Sequence, residues 1–340
     1  WNPVEIYEWV KNNIDTEWYW GCMKGAIETL RQKRGNDSDQ AALLVALMRA
    51  AGFPARYVRG VIGFFPGIEH ARHLIGIVDP QELAAFFQKA GIPCETVVAG
   101  GRIADIHIEH IWVEVQVPYA NYRGTVIDEH GKSWLGLDTA LKPAGYQWTA
   151  PETALDDFPW TGIRGDYLEN VREETLTGYL RGRIEDYLDD HRDLYPEAGY
   201  NDLLKTRTLN PEILKILPAS LQFRQIAVTG EYTRMPDALV HTVRFTGRTA
   251  AGNLLFDEAL PAYRLSSRQV ALGAEPETVE DQETINAYGG LGNTPAYLVR
   301  LRPSIRLDGD RLAAASDGLP MGDVFLLKVT LASPAGEAVF

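Results

Sequence analysis

The chain has 340 residues, of which 45% are hydrophobic and 23% charged, and its formal net charge is −13. This length favours two or three globular units, and this composition excludes a disordered or fibrous protein. The negative charge argues against a nucleic-acid partner, because such binding draws its affinity from Lys and Arg side chains that neutralise phosphates. No apolar stretch approaches the roughly 20 residues that a membrane-spanning helix needs, so no membrane span is predicted.

The two cysteines, Cys22 and Cys94, are too few for a disulfide scaffold and match no metal-binding motif. We expect two free, buried thiols, although one bridge between them stays open. The chain starts at Trp1 on an amphipathic pattern and stops at Phe340 without an evident end to a fold. We therefore expect an excerpt of a longer polypeptide, with no signal peptide inside it.

The first elements in chain order are predicted to be helices. Apolar residues recur at helical spacing over residues 3–13. A second helix is expected over residues 24–33, where Gly35 stops it, and a third over residues 38–51, where Gly52 and Pro54 follow. The third helix is apolar on most of its circumference, which predicts that it is buried.

Strands dominate the next part of the chain. Residues 55–64 read as a strand and are followed by a predicted loop that contains His70 and His73. Asp79 and Pro80 open a helix over residues 80–90. Further strands are predicted at residues 96–98, 102–117, 124–127 and 133–137. Helices followed by an antiparallel sheet make an α+β unit.

The second half of the chain is predicted to contain a linker, a long helix and then a series of short strands. Residues 141–165 are rich in Pro and Gly and suit a long loop or linker, and residues 167–194 read as one long amphipathic helix. Beyond about residue 217 the chain reads as short strands separated by turns, which indicates a β-sandwich-like domain. These strands are expected at residues 222–232, 239–248, 254–260, 267–272, 296–307 and 324–331. The predicted domains are 1–150, a loop and helical connector at 151–216, and 217–340.

One motif carries information about chemistry. Residues 35–44 read GNDSDQAALL, and residues 47–58 read LMRAAGFPARYV. Two further segments are HIWVEV at residues 110–115 and WLGLDT at residues 134–139. Together they resemble the transglutaminase-like superfamily, whose papain-like, cysteine protease-like members carry a Cys-His-Asp triad. The resemblance covers roughly residues 3–142.

The resemblance implies a papain-like fold and places the triad at position 37, His110 and Asp138. It also implies that position 37 begins a buried helix and that His110 and Asp138 lie on neighbouring strands. Position 37, however, is an aspartate. A thiol at such a place is activated as thiolate by the helix dipole and the imidazole, whereas Asp37 offers His110 no proton to abstract. Cysteine-protease or transglutaminase chemistry is therefore not expected.

Three interpretations of Asp37 remain open. The residues DSDQ at 37–40 have the form of a capping box, in which Asp37 caps the helix and Gln40 reaches back, alone or combined with an ion pair to His110. Alternatively, Asp37, His110 and Asp138 converge on a divalent ion. A replacement nucleophile is the third option. Ser38, however, is rotated by about 100° around the helix axis from position 37, and no spacing to a His or Asp singles out Cys22. We predict neither a bound metal nor a cofactor.

Trp112 lies two residues after His110 and therefore shares its face of the strand. It is predicted either to wall a substrate groove or to fill the core beneath the sheet. Glu114 also lies on the same face of the strand as His110 and could support it. His107 and Glu109 are expected on the opposite face.

These observations favour a catalytically degenerate transglutaminase-like domain, kept as a structural or peptide/protein-binding module. The alternative is a hydrolase or acyl transferase on peptide amide bonds that uses His110 and Asp138, with an unrecognised nucleophile or with a water activated by Asp37. A third option is an interaction surface on the β-rich half, with Tyr232, Tyr263 or Tyr288 exposed. The resemblance further implies a larger bacterial protein at the cell envelope or outside the cell. Oligomeric state is not predicted.

Overall fold

The computed structural model describes residues 2–117, 133–148, 157–170, 174–194, 199–200, 207–334 and 336–339. Its helices are α1 Pro3–Asn13, α2 Gly25–Gln32, α3 Asp37–Ala50, α4 Ile68–Ile75, α5 Pro80–Lys89, α6 Trp160–Glu169, α7 Leu176–Asp190 and α8 Val279–Ala287. Its strands in the first half are β1 Asp15–Thr16, β2 Arg34–Gly35, β3 Ala55–Phe64, β4 Cys94–Ala99, β5 Arg102–Val117, β6 Ser133–Leu137 and β7 Tyr146–Trp148. The later strands are β8 Arg207–Leu209, β9 Phe223–Tyr232, β10 Thr242–Thr249, β11 Leu254–Pro261, β12 Val270–Pro276, β13 Arg300–Leu307, β14 Asp310–Ala314, β15 Leu319–Pro320, β16 Phe325–Ser333 and β17 Gly336–Val339.

The predicted α+β class is confirmed. An antiparallel sheet has the strand order β4-β5-β3-β9, and β6 pairs with the far part of β5. Helix α3 is the central helix, since it contacts α1, α2, β3 and β5. Leu43, Leu44 and Met48 are each no more than 2% exposed and fill the space between these elements. Burial on most sides explains why the sequence of α3 is apolar nearly all round.

Strand β9 joins this first sheet, although it lies more than a hundred residues further along the chain than β3. It pairs antiparallel with β3, from Tyr57 opposite Tyr232 to Phe64 opposite Phe223. The sequence placed these residues in the β-rich segment beyond residue 217. A strand's own pattern shows that it will pair but not which strand it will meet.

The β-sandwich-like part is also confirmed. One sheet has the order β11-β10-β16-β17, and the other has the order β12-β13-β14 with β15 on β13. Phe245 and Phe256 from the first sheet share a buried cluster with Ile305 and Leu307 from the second. Two sheets that bury one common apolar layer are the defining feature of a sandwich.

The chain divides into two compact units, one made of Trp1–Pro143 with Glu212–Phe340 and one made of Ala144–Pro211. The second unit contains α6, α7 and the β7–β8 pair. Its own buried cluster consists of Phe158, Ile163, Tyr179, Ile184 and Leu188. The boundaries at 1–150, 151–216 and 217–340 stay a prediction.

Two predicted elements are corrected. Residues 167–194 do not form one helix: α6 ends before Asn170, whose backbone is extended, and α7 begins where the Thr175 side chain accepts a hydrogen bond from Gly178 N. His70 and His73 lie in α4 and not in a loop, because the apolar residues Ala71, Leu74 and Ile75 give this segment a buried helical face. The strand predicted at residues 124–127 lies outside the described residues.

Other boundaries match closely. The strands predicted at 55–64 and 102–117 have those bounds, and Asp79 caps α5 as predicted, with its carboxylate accepting from Gln81 N. Cys22 and Cys94 are both free thiols, of which Cys22 is buried and Cys94 partly exposed. None of the described helices combines the length and the apolar character needed to cross a membrane.

Candidate functional site

Asp37 is the first residue of α3, and the residue before it caps the helix. The Oδ1 atom of Asn36 accepts a hydrogen bond from Asp39 N at 2.9 Å, while its Nδ2 atom donates to the carbonyl oxygens of Tyr19 and Gly21. Gln40 donates to Gly35 O and not to Asp37. The capping box predicted for residues 37–40 is therefore wrong, because the cap lies one residue earlier.

Asp37 turns instead toward the sheet. Its Oδ2 atom accepts a hydrogen bond from Ile111 N at 2.8 Å and lies 3.1 Å from His110 Nδ1. Its Oδ1 atom accepts from Ser38 N at 2.7 Å. The positive end of the α3 dipole stabilises a negative group at this position. The ion pair between Asp37 and His110 that the sequence left open is thus present.

His110 lies between two carboxylates. It stands on β5 opposite Gly60 of β3, and its Nε2 atom is 2.9 Å from Oδ1 of Asp138. Asp138 directly follows β6, whose pairing of Leu137 with Val113 brings it alongside β5. The structure therefore brings together the three residues that the resemblance singled out.

The surroundings of His110 favour its protonated form. The residue is 2% exposed, and this burial opposes a charge. The two carboxylates outweigh burial and raise the pKa of His110 to about 10. Each ring nitrogen then carries a proton and donates it to a carboxylate. An imidazolium bonded on both sides has no lone pair with which to accept a proton at neutral pH.

Asp138 is held as a carboxylate. Burial alone would raise its pKa, but His110, the backbone N–H of Leu141 and the charge of Lys11 lower it below the usual value. Leu141 N donates to Oδ2 of Asp138 at 2.9 Å. The hydroxyl of Tyr7 donates to the backbone oxygen of Asp138 at 2.8 Å and ties this residue to α1.

Two buried lysines lie behind the triad and were not anticipated from the sequence. Lys11 Nζ contacts Tyr7 Oη at 3.0 Å, Gln222 Oε1 at 2.6 Å and Glu212 Oε2 at 3.6 Å. Lys142 Nζ donates to Lys11 O at 2.8 Å and to Gln40 Oε1 at 3.2 Å. Burial and the neighbouring Lys11 charge lower the pKa of Lys142 to about 7. A lysine on the apolar face of α1, four residues after Tyr7, was the pattern that could have indicated this network.

Solvent reaches the triad through a narrow cleft. It is lined by Asp37, His110 and Glu109, with Trp18, Tyr19 and Trp20 on the opposite wall. The volume open to a water-sized sphere is about 10 Å³. That is close to the smallest space that holds one water molecule. In this conformation the cleft is too small for a peptide side chain.

The other candidate residues near the triad are occupied in packing or in pairs with other side chains. Trp112 is 1% exposed, packs edge-on against Phe223 with ring centroids 5.4 Å apart, and occupies the space left by the missing side chain of Gly60. This is the core position that the sequence allowed, and a role for Trp112 in substrate binding stays a prediction. Glu114 pairs with Arg56 and not with His110. Ser38 is fully buried, with its hydroxyl 3.3 Å from Oδ1 of Asp37.

The geometry does not favour the divalent-ion alternative. Asp37 and Asp138 bind opposite nitrogens of the same ring, so the imidazole separates the two carboxylates. In the part of the chain that the structure describes, no group of three or more His, Cys, Asp or Glu side chains is arranged to hold a metal ion.

Comparison with known protein families finds a match in the first part of the chain. Residues 2–74 match the model of the transglutaminase-like superfamily, which confirms the resemblance over that range. The matched range covers α1 to α4 and includes position 37, while His110 and Asp138 lie beyond it. Neither a curated protein nor a solved structure matches the chain.

Proposed function

We propose that the transglutaminase-like domain is catalytically degenerate and serves as a structural or peptide/protein-binding module of a larger bacterial protein. The observation that carries this proposal is the placement of both His110 ring nitrogens within 3.1 Å of carboxylate oxygens. A triad histidine must exchange a proton with the nucleophile and the leaving group. Here the atom facing Nδ1 is a carboxylate oxygen, which supplies no thiol proton for that exchange.

The nucleophile position supports the same conclusion. In an active cysteine enzyme of this kind, a thiolate faces the imidazolium. At position 37 a carboxylate occupies the place of that anion and forms the equivalent ion pair. A carboxylate is a weaker nucleophile than a thiolate, and attack by Asp37 on an amide would produce a mixed anhydride, a higher-energy acyl intermediate than a thioester. The charge arrangement is kept while the covalent step is lost.

Such a site can still stabilise the fold. The pair between Asp37 and His110 joins the start of α3 to β5, and the pair between His110 and Asp138 joins β5 to the residue after β6. Removing one partner of a buried ion pair leaves an uncompensated charge and costs about 3–5 kcal/mol. Retention of the triad geometry therefore has a physical basis that does not require turnover.

The test is an assay for amide hydrolysis and for amine crosslinking on a panel of peptide substrates. The parent chain should show no more product than its His110→Ala variant. Activity in the parent that disappears in His110→Ala would contradict the proposal and support a hydrolase in which Asp37 activates water. Thermal unfolding of both proteins is the control that separates lost chemistry from lost structure.

The proposed setting of this module is outside the cell or at the cell envelope, as the resemblance implies. The net charge of −13 supports a protein or peptide partner over a nucleic acid. Fractionation of the source cells with an antibody against this chain checks the location. Recovery in the cytoplasmic fraction would contradict it.

A further inference from the structure

A second cavity shares none of its lining residues with the cleft at His110. It lies where α2 and α3 face the strands β10 and β11, and its volume is about 610 Å³. Pockets that enclose small organic ligands have volumes of roughly 300–1,000 Å³. The cavity is thus large enough for a ligand, whereas the triad cleft is not.

A hydroxyl without a partner faces this cavity. Tyr57, on β3, lines it and is 8% exposed, yet its hydroxyl makes no hydrogen bond with any described residue. Burial raises the pKa of Tyr57 to about 12, with a further contribution from Cys22, while the charge of Arg49 opposes the rise. Both of these neighbours line the same cavity. The hydroxyl oxygen is not among the described buried polar atoms that are cut off from solvent, so it is open to the cavity and free to donate to a ligand there.

A guanidinium group lies on the same side of the cavity. Arg49, in the last turn of α3, donates through Nε and Nη2 to Ala55 O, and through Nη2 also to Thr233 O. These bonds hold the side chain in place and leave Nη1 with no hydrogen-bond partner among the described residues. The other lining cations are already paired, Lys24 with Glu17 and Arg234 with Asp237, which also lines the cavity. Among the described lining residues, Arg49 is therefore the cation with no carboxylate partner.

The remaining walls are largely apolar. Val45 on α3 and Leu260 on β11 are buried, and Ile27 and Tyr263 are exposed side chains, 69% and 40% accessible. The Tyr263 ring lies directly over Gly25, where a Cβ atom would approach the ring to 3.3 Å. Gly25 and Tyr263 are therefore in close contact at the lining of the cavity. A ligand here would cover apolar surface that is otherwise in water.

We propose that this cavity binds an apolar carboxylate, whose acid group takes a hydrogen bond from the Tyr57 hydroxyl and pairs with Arg49 Nη1. Its hydrocarbon part packs between Ile27, Val45, Leu260 and Tyr263. The hydroxyl donor and the guanidinium select an anion over a cation, and the walls select an aromatic or branched body over a sugar. The carboxylate belongs either to a free acid or to the C-terminal residue of a peptide. This inference does not rest on the inactivity proposed for the triad.

Titration calorimetry with 3-phenylpropionate and with a short peptide that ends in phenylalanine tests the proposal. Each probe is paired with its neutral amide. At least one of the acids should bind saturably, and its amide should bind about tenfold more weakly, because the amide loses a charge-assisted pair. Tighter binding of the peptide than of the free acid identifies a peptide C-terminus, and the reverse order identifies a small acid.

The Tyr57→Phe variant removes one oxygen and leaves the ring. It should weaken binding of the acid about tenfold, which is the usual size of a hydrogen bond to a charged group. Tyr297→Phe is the matched control, because Tyr297 is 84% exposed and lines neither cavity, and it should bind like the parent. Arg49→Met should abolish the preference for the acid over the amide. Thermal unfolding shows whether each variant is folded.

The proposal is overturned if neither acid binds saturably, or if acid and amide bind equally to the parent. Unchanged binding in Tyr57→Phe would overturn it as well. These outcomes do not depend on whether Arg49→Met folds, since Tyr57→Phe and the pairs of acid and amide decide the question.

Discussion

The Nδ1 atom of His110 lies 3.1 Å from Oδ2 of Asp37, on the opposite side of the ring from the Nε2 contact with Asp138. Asp37 thereby does for the imidazolium what a thiolate does in an active cysteine site. The contact places a carboxylate oxygen where the resemblance expects the nucleophile. The proposed loss of covalent chemistry depends on that carboxylate.

A thiol placed at position 37 should form the thiolate–imidazolium pair of an active cysteine site. In Asp37→Cys the thiol faces His110 at the N-terminus of α3, so its pKa should fall below the ordinary value of about 8.5. A pH titration of thiolate absorbance in the ultraviolet, together with alkylation by iodoacetamide, measures this. Cys94→Ser should be built into the background, because Cys94 is partly exposed and would react in the parent.

The matched control for that experiment is Asp37→Cys combined with His110→Ala, in which the thiol should titrate as an ordinary cysteine. Equal thiol pKa values with and without His110 would show that the two side chains do not form the expected pair. Cys22 contributes little background, since it is 2% exposed and burial raises its pKa.

Two buried groups should make the stability of the fold depend on pH with opposite signs. His110 has its pKa raised from 6.5 to about 10, so its contribution to the free energy of unfolding is complete below pH 6.5 and is lost as the pH rises toward 10. Lys142 has its pKa lowered from 10.5 to about 7, so the fold favours its neutral form and gains stability as the pH rises from 7 to 10.5. Between pH 7 and 10 the two contributions largely cancel.

Removing either group should reveal the pH dependence that the other gives to the free energy of unfolding. In Lys142→Met the free energy of unfolding should fall as the pH rises between 7 and 10, and in His110→Gln it should rise, each by up to about 1.4 kcal/mol per pH unit. Urea unfolding across this interval measures both slopes, with the parent between them. Parallel profiles for the three proteins would mean that these groups do not titrate as the geometry indicates.

Asp39 should be among the most sensitive polar positions. Its Oδ1 atom accepts from the backbone N–H groups of Met23, Lys24 and Gly25 at 2.8–3.1 Å, and Tyr19 donates to its other oxygen. It therefore caps the start of α2 from the neighbouring helix. Asp39→Ala leaves these donors buried without an acceptor and should cost about 2–4 kcal/mol of unfolding free energy.

Chemical denaturation of Asp39→Ala measures this cost. Asp323→Ala is the comparison, because Asp323 is exposed and should change stability by less than about 0.5 kcal/mol. Similar effects of the two substitutions would show that the carboxylate of Asp39 does not cap α2.

Gly60 should tolerate no side chain. A Cβ atom there would lie 2.2 Å from Ala227 O on β9 and 2.7 Å from the ring of Trp112. Gly60→Ala must displace the β3–β9 pairing or the indole, at a cost of about 1–3 kcal/mol or more. Thermal unfolding measures the loss, and tryptophan fluorescence reports whether the indole moves.

Gly165→Ala is the matched control for Gly60→Ala. Gly165 lies within α6, and no heavy atom outside its own stretch of helix lies within 4 Å of the place that a Cβ atom would take. Alanine there should be neutral or stabilising, because it favours the helix. Equal destabilisation by both substitutions would contradict the packing argument at Gly60.

Local sequence patterns predicted where Asp37 lies in its helix, but not which residues it and its neighbours contact. The position of Asp37 at the start of α3 could be predicted because helix periodicity and a glycine stop are local features. The cap at Asn36 was missed by one residue, since both Asn and Asp are good caps and local sequence does not choose between them. The contacts of Lys11 and Lys142 and the partner of β9 could not be predicted, because each depends on residues more than a hundred positions away. The local pattern at Lys11 shows only that a cation lies on an apolar helix face.

The sequence by itself determined the α+β class, the bounds of strands such as 55–64, and the presence of an aspartate at position 37. These are matters of composition, short-range periodicity and covalent identity. Only the tertiary structure decided that two carboxylates raise the pKa of His110, and that the Tyr57 hydroxyl lines a cavity with no hydrogen-bond partner among the described residues. Charge states and cavities depend on burial and on distances between remote segments, and the chain acquires both only when it folds.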